Sequence, residues 1–156
     1  MANLTIPSSY DPKAILIADD EPEHIEFLID YLTSKGYAVT FAKNGEEAIR
    51  ACEKTKHRAY IIDLNIPLGE WNPGPDPSPT YKKYPGLHII RAARTQGNSG
   101  ARVVAYSAHY NDDISTEIGR LYCEYIVKGR ARELKDAIAE IMTTDPAQQH
   151  SQHQIP

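Results

Sequence analysis

The stretch "AILIADDEPEHIEFL", residues 14–28, runs five apolar residues directly into Asp19, Asp20 and Glu21. A continuous apolar run of this length reads as a strand covered on both faces, the kind found in parallel sheets. Three adjacent acids repel one another, and the end of a buried strand is a costly place for them. One reading is local. Asp20 with Glu23 three residues on forms an N-cap pair, and Pro22 suits a first helical turn. The other reading requires a cation, and a second strand that delivers a further acid to the same place.

Working outward, four more short apolar runs follow, at 38–42, 59–62, 103–106 and 125–127. Amphipathic stretches separate them. Ile25, Leu28, Ile29 and Leu32 share one helical face, as do Ile114, Ile118 and Leu121, and then Leu134, Ala137, Ile138 and Ile141. Asn44 with Glu47 reads as an N-cap and its return contact, opening a helix to about Lys54. Residues 87–94 form another helix, closed by "TQGNSG". Five repeats of strand then helix predict an α/β fold. It is a five-stranded parallel sheet with right-handed crossovers and helices on both faces, (βα)5 in flavodoxin-like order.

In such open sheets, ligands sit beyond the carboxyl ends of the strands, where strand order reverses. The strand ends therefore form one set: Asp19 and Asp20, Asp63, Ser107 and Lys128. A hard divalent ion compensates converging carboxylates. Mg2+ keeps several waters and takes only one or two protein carboxylates. With a lysine and a hydroxyl beside it, such a site suits a phosphoryl group, and an aspartate can be the nucleophile that receives it.

"ILIADDEPE", "YIIDLNIP", "VVAYSA" and "EYIVK", in that order at the strand ends, resemble the receiver domain of two-component response regulators, over roughly residues 13–141. The resemblance implies roles by position. Asp63 matches the phosphoacceptor, Asp20 the direct Mg2+ ligand, and Asp19 the acid that acts largely through water. Asn65 would offer its backbone carbonyl to the metal. Ser107 matches the switch hydroxyl, Lys128 the lysine that holds the phosphoryl oxygen, and Tyr125 the aromatic that turns inward on activation. The implied function is a phosphorylation-dependent signalling switch. Asp63 takes its phosphoryl group from a sensor histidine kinase or phosphotransfer protein, and the surface around the fourth helix and fifth strand changes. The chain is then a regulatory phosphoacceptor and not an enzyme, with only intrinsic self-phosphorylation and autodephosphorylation.

Three features depart from the family pattern. Lys128 is followed by Gly129, where the family usually has proline. His109, two residues after Ser107, stands where the family tunes loss of the phosphoryl group; read locally, it is an exposed loop histidine. The segment 64–86 after the third strand far exceeds the roughly two to six residues usual for such loops. Its Pro73, Pro75, Pro77 and Pro79 alternate with other residues, a pattern that favours stiff extended chain. Trp71, Tyr81 and Tyr84 give this insert the means to pack on the body.

Rival readings make different demands. A flavodoxin-like cofactor carrier needs a glycine- and hydroxyl-rich phosphate cradle after strand one, where this chain has "ADDEPE". An aspartate-nucleophile phosphatase needs a second acid two residues after its nucleophile, and that position is Asn65. A degenerate receiver would dock partners without being phosphorylated, yet every acid, the hydroxyl and the lysine are retained.

The bulk of the chain agrees. Its 156 residues are 41% hydrophobic and 24% charged, enough for one domain with a substantial core. Residues 1–12 are expected as an N-terminal extension, 13–142 as the receiver domain, and 143–156 as a disordered tail. No apolar run approaches the roughly 18 residues of a membrane span, and no signal peptide is visible. Cys52 and Cys123 lack metal-type spacing, which fits a reducing cytoplasm. The net charge of −4 argues against non-specific nucleic-acid binding. The stretch after Lys128 has room for one helix and a tail, so no DNA-binding module is expected. The output is a downstream protein target or self-association.

Overall fold

The computed structural model describes residues 9–96 and 102–145. Its five strands are β1 (Tyr10–Ala18), β2 (Ala38–Ala42), β3 (Lys56–Ile62), β4 (Arg102–Ser107) and β5 (Glu124–Val127). They form one parallel sheet in the order β2-β1-β3-β4-β5. The helices are α1 (Glu26–Ser34), α2 (Gly45–Lys54), α3 (Pro79–Lys83), α4 (Gly86–Gln96), α5 (Asp112–Arg120) and α6 (Ala131–Thr143).

Alternation along each strand divides the core in two. Leu16, Ala18, Tyr60, Ile62, Val103 and Ala105 point to one face, where Ala48 and Cys52 of α2, Leu87 and Ile90 of α4, and Ile114 and Ile118 of α5 cover them. Ile15, Ile17, Ile61, Val104 and Ile126 point to the other, under Leu28 and Leu32 of α1 and Leu134, Ile138 and Ile141 of α6. Both faces are dry, which is why the strands read as continuous apolar runs. The expected (βα)5 architecture is present, with one helix more than expected.

Several local expectations need correction. β1 starts at Tyr10, inside the expected extension 1–12. Tyr10 and Asp11 pair with Lys56 and His57 before the register shifts, and the Tyr10 hydroxyl donates to Asp145 Oδ1 at 2.8 Å. Pro12 lacks an N–H and masks this part of the strand in the sequence. Asp145 belongs to the expected tail; from residue 146 onward that tail lies outside the described residues, as do 97–101 after α4.

The Asp20–Glu23 cap does not form. Pro22 sets a single 3-10 turn over Pro22–His24, α1 begins only at Glu26, and neither start has a side-chain cap. At α2 the cap is present: Asn44 Oδ1 accepts from Glu47 N at 2.8 Å, while the Glu47 carboxylate accepts from Lys43 N.

The insert 64–86 is not extended throughout. Pro79 occupies the first turn of α3, a position where its missing N–H costs nothing. The insert is fastened to the body by the N–H groups of Gly45 and Glu46, which donate to the carbonyls of Pro67 and Leu68 at 2.8 and 3.0 Å. Tyr81 and Tyr84 are buried, and Trp71 packs against the core that α2, α4 and α5 share.

Candidate functional site

Strand order reverses between β1 and β3, and their carboxyl ends lie side by side. Asp63 N donates to Ala18 O at 2.8 Å, and Asp19 N to Ala42 O at 2.9 Å, so the backbone fixes both acids at the crevice. Carboxylate oxygens of Asp19, Asp20 and Asp63 lie within 4.8 Å of one another. Asp19 and Asp63 are buried and Asp20 is exposed at the mouth. The backbone wraps the two buried groups: Glu21 N donates to Asp19 Oδ1 at 2.8 Å, and Asn65 N to Asp63 Oδ1 at 3.2 Å.

Lys128, just past β5, bridges the pair. Its Nζ lies 2.9 Å from Asp19 Oδ2 and 3.2 Å from Asp63 Oδ2. Burial holds the Asp63 carboxyl above the ordinary carboxylate range, although the Asn65 N–H and the lysine pull it down. Burial lowers Lys128, but its bond to Asp19 and the two carboxylate charges outweigh that and hold it above the ordinary lysine value. One ammonium thus serves two buried carboxylates, with a third beside them, and the cluster carries excess negative charge. Oxygen donors this close, with one open to solvent, fit a hard divalent cation such as Mg2+. Lys128 reaches the acids even though no proline follows it. Gly129 turns the chain with φ of 94°, a left-handed conformation that glycine adopts freely, and no cis peptide occurs among the described residues.

Ser107 ends β4 and is fully buried; its Oγ accepts from His109 N at 3.3 Å. Tyr125 is half-buried. Its hydroxyl donates to the carbonyls of Ser107, at 3.0 Å, and of His109, and its ring lies 4.5 Å from that of Tyr110. His109 is exposed, its ring beside Tyr84 of the insert. The structure therefore gathers Asp19, Asp20, Asp63 and Lys128 directly. Asn65, Ser107, Tyr125 and His109 lie on the segments around them. Sequence reasoning missed Gly86, whose Cα lies so close to the backbone of Asp63 that no side chain fits. Its signal was a glycine between the insert and a helical run.

Residues 15–71 match the profile of the response regulator receiver domain. Over that stretch the chain is similar to the receiver domain of response regulators. Its fold is similar to a CheY-like receiver domain protein from Methanospirillum hungatei JF-1, with a TM-score of 0.65 at 20% identity, covering 82% of this chain and 91% of that one. It is also similar to the response regulator TrrA of Thermotoga maritima, a structure in complex with Mg2+-BeF. There the TM-score is 0.60 at 26% identity, over 83% of this chain and 98% of that one. Among curated relatives, a response regulator receiver protein of Anaeromyxobacter sp. (strain Fw109-5) is 29% identical over 98 residues, 63% of this chain and 34% of that protein. The chain spans about a third or less of the length of the curated relatives it matches. No helix among its described residues is long and apolar enough to cross a membrane.

Proposed function

We propose that this receiver domain is a phosphorylation-dependent switch whose phosphoacceptor is Asp63. The observation that carries the reading is the set of three carboxylates within 4.8 Å at the ends of β1 and β3, with Lys128 bridging Asp19 and Asp63. A carboxylate oxygen of Asp63 attacks the phosphorus of a phosphohistidine on a histidine kinase or phosphotransfer protein. The new O–P bond forms as the N–P bond breaks, and the imidazole leaves with the electron pair and takes up a proton from solvent. Asp19, Asp20 and Asp63, with the Asn65 carbonyl, would hold Mg2+, which when bound neutralises charge on the phosphoryl oxygens.

Lys128 then pairs with a phosphoryl oxygen in place of the Asp63 carboxylate. Ser107 donates its hydroxyl to another, and Tyr125 follows the shift of the segment between β4 and α5. His109, exposed on that segment, would affect water reaching the phosphoryl group. The altered surface around α5 and β5 is read by a protein target or a second copy. On this reading the unit 13–142 is a regulatory phosphoacceptor in the cytoplasm, with no DNA contact of its own.

The test is intact mass after incubation with acetyl phosphate, with and without Mg2+, beside Asp63→Asn. A Mg2+-dependent gain of one phosphoryl group, absent from the variant, is expected. No gain in a folded protein that still binds Mg2+ would leave a docking module that works without phosphorylation.

A further inference from the structure

The insert ends in Tyr84, which touches the segment that carries Ser107. Its hydroxyl accepts from Asn111 Nδ2 at 3.3 Å, and Asn111 is the N-cap of α5, its Oδ1 taking the Ile114 N–H at 2.9 Å. The Tyr84 ring lies 6.0 Å from that of His109, the residue whose N–H donates to Ser107 Oγ. A second fastening sits further along α5. Ser78 Oγ donates to Glu117 Oε2 at 3.3 Å, and Glu117 is buried on the face that α3 covers. The insert is pinned in turn to α4: Asp76 Oδ1 lies 2.7 Å from Nε2 of the buried His88, and the Tyr81 ring stands edge-on to the same imidazole at 4.8 Å. The insert therefore runs from the strand end that carries Asp63 to both ends of α5.

We propose that the insert 64–86 is an intramolecular brake on the switch, with Tyr84 and Ser78 as its two contacts on the moving part. The inference rests on Asp63 being the phosphoacceptor. On that reading a shift of the segment 107–111 brings Ser107 to a phosphoryl group on Asp63, and the shift carries His109 and Asn111 away from Tyr84. Bonds made only in the unshifted arrangement stabilise it selectively, and by linkage they weaken whatever binds the shifted one. One neutral hydrogen bond is enough to move such an equilibrium roughly two- to tenfold. Asn111 is exposed, so water replaces the partner lost in Tyr84→Phe, and in Ser78→Ala the buried Glu117 keeps Arg120 Nη1 on both carboxylate oxygens.

The experiment titrates beryllofluoride, a phosphoryl mimic, in the presence of Mg2+ into the full chain, into Tyr84→Phe and into Ser78→Ala. Trp71, the single tryptophan, lies in the insert and gives a fluorescence signal. Hydrogen exchange of residues 78–84 is followed with and without saturating mimic. Each variant is expected to bind the mimic about two- to tenfold more tightly, and exchange in 78–84 of the unmodified chain to rise on saturation. Unchanged or weaker binding in both variants, or a lower melting temperature with unchanged binding, would reduce these contacts to packing and overturn the brake. Unchanged exchange in the insert on saturation would overturn it as well. If the unmodified chain binds Mg2+ but no mimic, the phosphoacceptor reading fails first, and the brake fails with it.

Discussion

Gly86 lies against Asp63 so closely that a β-carbon there would stand 2.1 Å from the Asp63 carbonyl oxygen and 2.7 Å from the Leu64 Cα. Both neighbours are backbone, so neither can rotate aside as a side chain would. The Gly86 N–H also donates to Leu64 O at 2.9 Å, which fixes the start of α4 to the strand end that carries the candidate phosphoacceptor. Gly86→Ala must push the two apart. We expect a loss of about 2–3 kcal/mol in chemical denaturation, at the upper end of ordinary overpacking, and a lower phosphoryl yield at Asp63. A variant as stable as the parent would show that the approach relaxes without cost.

Lys128→Met removes the ammonium that pairs, among the described residues, with the two buried carboxylates of the site, Asp19 and Asp63, while keeping most of the side-chain volume. Breaking a buried ion pair from one side typically costs roughly 3–5 kcal/mol, because the remaining charge is left without compensation. Here the loss should shrink when Mg2+ is added, since a cation at the acids replaces part of the missing charge. Thermal melts of parent and variant across a Mg2+ series check this. A larger Mg2+-dependent rise in the variant is expected, and equal rises would place the ion away from these acids.

The sheet and most of the site were legible because both depend on strand ends. Dry strands leave continuous apolar runs, and the residue after each run lands at one edge of a parallel sheet; hence Asp19, Asp63, Ser107 and Lys128 could be named from sequence. What escaped depended on geometry that residue type does not encode. Asp20 with Glu23 has the composition of a cap, but Pro22 confined the turn to three residues and moved the start of α1 to Glu26. The prolines of the insert suggested an extended strap, whereas Pro79 opens a helix. Glu117 was not singled out from the sequence at all. It is buried and takes a hydrogen bond from Ser78 of the insert, a long-range contact that no local pattern signals.

Because the insert shares the core of α2, α4 and α5, it is part of the fold and not an appendage. Tyr81 is 3% exposed and lies between α4 and α5. Tyr81→Ala is expected to cost about 3–5 kcal/mol, the range for deleting a buried aromatic ring. Urea denaturation read by circular dichroism would show it as a lower midpoint with an unchanged slope. A cost below about 1 kcal/mol would mean that the insert detaches without consequence for the body.

His57 gives the chain a pH dependence away from the carboxylate site. It is 1% exposed at the start of β3, and its Nδ1 has no hydrogen-bond partner among the described residues. Burial lowers its pKa from 6.5 to about 4, with the Thr55 backbone and the charge of Asp11 opposing only in part. The folded chain therefore keeps this imidazole neutral where the unfolded chain protonates it. Between pH 6.5 and about 4 the unfolded state binds more protons, so this stabilisation is complete above the unfolded value and is lost as pH falls through the folded one. The whole effect amounts to roughly 3 kcal/mol. Denaturation midpoints measured from pH 7 to pH 4 should fall more steeply in the parent than in His57→Leu, which has no proton to take up. An imidazole resonance for His57 that titrates near its ordinary value in the folded protein would rule this out.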